Sequence, residues 1–361
     1  MMARAHGGGA FGVAVLAALP RAFAAAPVCQ LTEETRMPHY AIVVTQPGGP
    51  EQFRRIEIAA PEPGPGQIRL RQTAVGLNFI DVYHRTGTYP WSQPADLIVG
   101  SEGAGVVEAV GAEVTDVAMG DRVAYTLPLG AYASTRLIAA ERVVPIPEGI
   151  SDEVAATLML KGLTAHYLIH DSHPVQPGQT VLVQAAAGGV GLLLGQWLAA
   201  KGVTAIGTAG GPEKCALAAD HGYAHVIDYN AEDFPARVAE LTGGRGVDAV
   251  YDGVGAATWR GSMQSLALRG SFVCFGQASG AITDFRFADL APKSAKATRP
   301  SLFHFIPGAA ELRARAGDLF TAVARGEIRS EPRQRLSLTD AAQAHADLES
   351  RRTTGATVLI P

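Results

Sequence analysis

The sequence predicts an α/β protein of two domains: a small β domain of barrel type, then a doubly wound parallel sheet with helices on both faces. Three observations carry this. From Tyr40 to about Pro147 the chain runs in short strand-like segments broken by Gly and Pro turns. From Thr180 to about Phe275 short apolar runs alternate with helical stretches, the rhythm of parallel strands buried on both faces. The 361 residues, 47% hydrophobic and 18% charged, are enough for two cores at about 150 residues per domain.

In the first half, Ala41 to Val44 reads as a strand, and Ile68 to Val75 alternates apolar and polar residues, the period of a half-buried strand. Gly103 to Gly111, Val123 to Tyr125 and Ala139 to Ile146 add further strands. Asp152 and Glu153 suit the positive end of a helix running to about Tyr167. Five strands follow, at 181–183, 204–207, 226–228, 248–251 and 272–275, with helices expected at Gly191 to Lys201, Pro212 to His221 and Phe234 to Leu241. The tail holds a charged helix, Glu311 to Arg325, and a last strand, Ala356 to Ile360, that returns to the first domain.

Residues 1–37 differ from the rest. Phe11 to Leu19 is an apolar run behind Arg4 and His6, and Ala22 to Ala26 offers a small-residue cleavage pattern. The run falls well short of the roughly 20 apolar residues of a membrane span. Two readings stand: a secretory signal over residues 1–26, or an extension ahead of a protein that starts at Met37. The second agrees with the chemistry below and with a cytoplasmic location, where reduced nicotinamide coenzyme is supplied.

Composition excludes several classes. A net charge of −4 gives no global basic field for nucleic acid or an anionic membrane. Three scattered cysteines, Cys29, Cys215 and Cys274, build neither a disulfide framework nor a Cys-rich zinc site. His166, His170 and His173 read as histidines at a helix end, with no acidic partner expected in reach. No Gly-x-Ser-x-Gly elbow supports a hydrolase.

The strongest local signal is the strand Val181 to Val183 feeding Ala185-Ala186-Ala187-Gly188-Gly189-Val190-Gly191 and then a helix. Such a turn brings backbone close to a pyrophosphate, with the helix N-terminus supplying N–H donors and positive potential. Ala186 stands where the usual fingerprint has its first Gly; a ligand-free tight turn is the plainer reading. At the end of the second strand, Thr208 occupies the place where an acidic residue would hold the ribose of NAD. Lys214 offers an ammonium for a 2′-phosphate, so NADPH is favoured over NADH; the rival for Lys214 is a solvated surface lysine.

These residues extend to a family pattern. The stretches 74–83 (Ala-Val-Gly-Leu-Asn-Phe-Ile-Asp-Val-Tyr), 102–107, 160–165, 185–191, 275–280, 298–302 and 351–355 occur in the order found in zinc-free quinone oxidoreductases. The chain from Met37 to Pro361 therefore resembles the zeta-crystallin-like branch of the medium-chain dehydrogenase/reductase superfamily. Zinc-dependent relatives carry a Cys near Asn78 and a His before Glu102; here Ser101 precedes Glu102. The resemblance implies a GroES-like β-barrel catalytic domain (38–160 with 297–361) and a Rossmann-type NADPH-binding domain (161–296).

It also implies roles. Asn78, Asp81 and Tyr83 would face the nicotinamide and the substrate cleft, with Tyr89 as a wall. Lys161 and Thr164 would lie beneath the cofactor, and Gly188, Gly189 and Val190 along the pyrophosphate. Gly210, Lys214 and Tyr229 would hold the adenosine phosphate. Gly253, Phe275 and Gln277 would follow the fourth and fifth strands, and Arg299 would stand near the nicotinamide. Plainer readings exist for each: Asn78 a turn residue, Tyr83 and Phe275 packed aromatics, Tyr229 a strand-end tyrosine, Lys161 the partner of a nearby carboxylate, Asp81 a structural carboxylate at a helix start. The implied reaction passes hydride or single electrons from NADPH to a quinone without a metal. Alternatives are an NADPH-dependent enone or alkenal reductase, and an NADPH-sensitive RNA-binding or crystallin-type protein. The family implies a homodimer or homotetramer, and the strand near Phe272 to Phe275 is the expected sheet-edge contact.

Overall fold

A computed structural model describes residues 39–91 and 95–361; the expectations for residues 1–37 lie outside them. Residues Pro38–Pro361 form one compact unit built on two large sheets. The first has the strand order Pro332–Ser337, Ala356–Ile360, Gln67–Gly76, Glu102–Val110, Arg122–Thr126, Val143–Pro145, with Thr135–Ala139 paired to Gln67–Gly76. A smaller sheet of Phe53–Glu57, Tyr40–Val44 and Leu97–Ile98 packs with it. The C-terminal strand does return to the first domain, pairing Val358 with Gly76 and Leu359 with Val75.

The second sheet is parallel throughout, in the order His225–Asp228, Thr204–Ala209, Thr180–Val183, Val247–Asp252, Leu266–Cys274, Lys296–Thr298. The order reverses beside Thr180–Val183, and ligands of open parallel sheets bind at the carboxyl ends of strands at such a switch point. Its central strands are buried: Val181, Leu182, Val183 and Val250 have no exposure.

Three sequence expectations need correcting. The parallel sheet has six strands, because the short polar segment Lys296–Thr298 carries no apolar signal yet pairs with Ser271 to Val273. That strand takes the sheet edge, so Phe272 is buried and 272–275 offers no edge. Ala139 to Ile146 is broken by a 3-10 turn at Ala140–Arg142. The barrel region also contains a helix, Phe79–Arg85, only two turns long and too short for an apolar period to register.

Helix Asp152–Tyr167 joins the two domains. Ser151 Oγ accepts from the Val154 N–H at 3.2 Å, and Asp152 and Glu153 fill the first turn, satisfying and complementing its N-terminus. Nearly all of it from Ala155 onward is buried, in a core shared with the parallel sheet and with helix Ala309–Ala324. It therefore fixes its side chains relative to both sheets.

Candidate active site

Along the carboxyl ends of the parallel strands runs a cavity of about 1020 Å³, at the upper end of the range for small-molecule sites. The turn at its centre is set by the chain's smallest residues. A Cβ at Gly191 would meet the carbonyl oxygens of Ala185 and Ala186 at 2.5 Å. Ala186, in the place of the usual first Gly, is accommodated by Gly207 of the next strand, where a Cβ would stand 2.7 Å from Ala186 Cβ. Helix Gly189–Ala200 begins inside the turn, so its first N–H groups are directed at the cavity.

At one end of the cavity stand Gly210, Lys214 and Tyr229. The Tyr229 hydroxyl lies 2.5 Å from where a Gly210 Cβ would sit, so that glycine makes room for the ring. Thr208 turns its hydroxyl to Gln184 Oε1 (2.6 Å), while Asp228 Oδ1 accepts from Gly211 and Asn230 N–H. Glu213 is exposed. Burial, with the neighbouring Arg351 charge, holds the Lys214 ammonium below its ordinary pKa. The loop before the last strand crosses here: Gly355 N–H donates to Ala187 O (2.9 Å), Lys214 Nζ to Arg351 O (2.5 Å), and Arg351 lines the cavity.

At the other end, Glu102, which has no exposure, organises the wall. Its Oε1 accepts from Asn78 Nδ2 (2.9 Å) and from the Lys161 ammonium, and its Oε2 from the Leu160 N–H (2.6 Å). Asn78 and Lys161 are thereby held at the cavity with Thr164. Tyr83 reaches across the domains, its hydroxyl oxygen accepting from the Gln277 N–H at 3.0 Å. Burial pushes this phenol up to about 12, with Gln277 and Arg299 pulling the other way, so it is a donor at neutral pH. Its ring meets Tyr89 edge-on at 5.3 Å. Phe275, whose ring lies 2.9 Å from a Gly253 Cβ position, and Gln277 complete this side. Arg299 donates to Cys274 O (3.2 Å) and turns into the same space.

Two family models match: the alcohol dehydrogenase GroES-like domain over residues 64–148 and the zinc-binding dehydrogenase over residues 189–313. The chain is 49% identical over 317 residues to a quinone oxidoreductase of Pseudomonas aeruginosa, covering 87% of this chain and 97% of that protein. It belongs to the quinone oxidoreductase family. A 2-haloacrylate reductase from Burkholderia is 43% identical over 329 residues, 89% of this chain and 98% of that protein. The structure of Escherichia coli quinone oxidoreductase complexed with NADPH superposes with a TM-score of 0.87 at 41% identity, covering 89% of this chain and all of that one.

Among the described residues, no set of donors fits the zinc of the second model's name. The resemblance implies that zinc-dependent relatives carry a Cys near Asn78 and a His at the place of Ser101. Ser101 Oγ donates to Asp81 Oδ1 (2.9 Å) and Asn78 is tied to Glu102. Among the described residues no three His, Cys, Asp or Glu side chains gather into a metal site, whereas zinc takes four N, S or O ligands. His166 does have an acidic partner, contrary to expectation: Asp318 Oδ2 of a later helix lies 3.2 Å from Nε2. Burial chiefly, with His170 beside it, still pushes His166 down to about 4.

Of the site residues expected from sequence, all but Asp81 line the cavity. Asp81 has no exposure and caps helix Phe79–Arg85 instead, Oδ2 accepting from the Asn78 N–H at 2.9 Å. Burial pushes its carboxyl up to about 7 against the pull of Ser101 and Asn78. Behind it a buried chain runs from Arg85 Nη1 to His345 Nδ1 (3.3 Å) and from His345 Nε2 to the Tyr132 hydroxyl (3.0 Å). Arg85 only donates, so His345 carries its proton on Nε2. Sequence reasoning missed Glu102 as the organising group, although it lies in a quoted motif, and Arg351, which also lies in one but far along the chain from the glycine turn.

Proposed function

We propose that this protein reduces quinones with NADPH, without a metal. One observation carries the reading: a single cavity joins a glycine turn flanked by Lys214, Tyr229 and Arg351 to an aromatic end held by Asn78, Lys161 and Tyr83. That shape suits a phosphorylated dinucleotide laid across the sheet with its reactive ring beside an acceptor. The NADPH bound to the Escherichia coli relative supports the same coenzyme here. NADPH supplies the hydride equivalent; with one proton, the quinone leaves as hydroquinone and the coenzyme as NADP⁺.

The chain's own work is holding and orienting. Gly188, Gly189 and Val190 let backbone meet the pyrophosphate, and Lys214 and Arg351 supply charge for the 2′-phosphate. Thr164, Phe275 and the closely packed Gly253 shape the bed beneath the nicotinamide. Tyr83, its oxygen already accepting from Gln277, has its proton free to donate to the acceptor oxygen as that gains charge. A quinone oxygen takes its final proton from solvent, so no dedicated acid or Lewis-acid metal is needed. The supply of reduced coenzyme favours a cytoplasmic location. A second copy would complete the open sheet edge, where Lys296–Thr298 is exposed and Leu268 and Phe287 are 75% and 88% exposed nearby. This supports a homodimer.

The experiment is coenzyme oxidation against a panel of 1,4-quinones, with NADH as control. Turnover with NADPH at least tenfold more efficient than with NADH is expected; indifference to the coenzyme, or none with any quinone, overturns the reading. Tyr83→Phe lowers kcat if the hydroxyl donates to the acceptor; an unchanged kcat removes that role. The 2-haloacrylate reductase relative favours a second reading, reduction of an activated carbon–carbon double bond. Enones outcompeting quinones at equal NADPH would establish it.

A further inference from the structure

Two of the five charged side chains that line the cavity are answered by the protein itself. Lys161 is held by Glu102, and Glu349 by Arg85. Lys214 and Arg351 stand together at the phosphate end. Arg299 is different. Among the described residues it makes no ion pair and a single hydrogen bond, from Nη1 to Cys274 O at 3.2 Å. It lies at the aromatic end, where burial raises the phenols of Tyr83 and Tyr167 and the thiol of Cys274 and the Arg299 charge opposes that rise. The carboxylate that reaches Cys274, Asp252, is fully buried and occupied by Val254, Gly255, Thr258 and Ser262.

A planar guanidinium carries five donors in a fork that matches a carboxylate with two parallel bonds. A neutral quinone oxygen would use one of them and leave the charge unanswered. We infer that the acceptor site selects conjugated acceptors that carry a carboxylate, with Arg299 as the residue that determines this preference. The inference rests on the reading of the cavity as a reductase site, and it names the class of acceptor that site takes.

The test uses one naphthoquinone ring bearing a propionate tail, compared with its methyl ester. The saturated spacer keeps the ring's reactivity the same, so the ratio of kcat/KM for acid over ester reports the carboxylate alone. In the wild type the ratio is expected to be about ten to one hundred, the range for charge-assisted hydrogen bonds, and to fall with added salt. Arg299→Gln is expected to bring it to about one, and Arg299→Lys to an intermediate value, the charge kept and the fork lost. A wild-type ratio of one or less, or a ratio unchanged in Arg299→Gln, overturns the inference. Failure to reduce either compound overturns the reductase reading instead. The inference is then decided by calorimetric affinity of naphthalene-2-propionate against its methyl ester in the wild type and in Arg299→Gln.

Discussion

The two ends of the cavity are built on opposite principles. The phosphate end works by absence: it is built from glycines and alanines at 185–191, 207 and 210, and a Cβ added at one of the glycines meets a carbonyl, a ring, a neighbouring Cβ or the Lys161 side chain. The acceptor end works by presence: Glu102, buried and doubly engaged, holds Asn78 and Lys161 at the wall, and Asp81 fixes the helix that carries Tyr83. A site made of missing side chains tolerates no additions; one made of buried charge tolerates no deletions.

That contrast is broken most severely at Glu102. Glu102→Ala strands the Lys161 ammonium in a site where it is only 6% exposed and orphans the Asn78 amide. Removing one member of a buried pair costs about 3–5 kcal/mol, which urea denaturation would register as a lower midpoint at unchanged slope. A stability loss under about 1 kcal/mol would mean that the acceptor end does not depend on this pair.

The opposite experiment adds one methyl at the phosphate end. Gly191→Ala places Cβ against two backbone carbonyls, and overpacking of this kind costs about 1–3 kcal/mol. NADPH affinity, followed by quenching of protein fluorescence, is expected to fall at least tenfold. Unaltered affinity would show that the turn yields without cost and that absence is not what shapes it.

A charge deletion at the glycine-turn end sharpens the distinction, because among the described residues neither Lys214 nor Arg351 forms an ion pair and Lys214 Nζ donates to Arg351 O. Lys214→Ala should raise KM for NADPH by about ten- to a hundredfold, the worth of one hydrogen bond to a charged group, and leave KM for NADH and the thermal midpoint unchanged. Equal losses with both coenzymes would assign Lys214 a structural role.

The last expected effect is a slope. Burial pushes the Asp81 carboxyl up to about 7, above the roughly 3.9 of an unfolded aspartate. The folded chain therefore keeps a proton that the unfolded chain has released, and stability falls as pH rises from about 4 to about 7, then levels. Asp81→Asn should flatten that part of a plot of Tm against pH; an unchanged slope would trace it to other groups.

Much of this protein was legible in its sequence because the relevant signals are local. The alternating apolar runs fixed the parallel strands, and 185–191 marked the phosphate turn, since a strand, a glycine cluster and a helix start are consecutive along the chain. Thr208 and Lys214 pointed to the coenzyme for the same reason. Other features were not legible because distant segments create them. Lys296–Thr298 is a strand only because Ser271 to Val273 lies beside it. Asp81 reads as a site carboxylate until Ser101 and the Asn78 N–H claim it.

The chain alone thus determined two domains, a dinucleotide turn and the residue types able to grip a phosphorylated coenzyme, all set by periodicity and local backbone freedom. Tertiary structure decided which charges are spent and which remain available. Glu102 neutralises Lys161, Arg85 neutralises Glu349, Arg351 arrives from the last loop, and Arg299 is left at the cavity with no ion pair among the described residues. Charge pairing acts through space between residues far apart in sequence, so no reading along the chain can balance it.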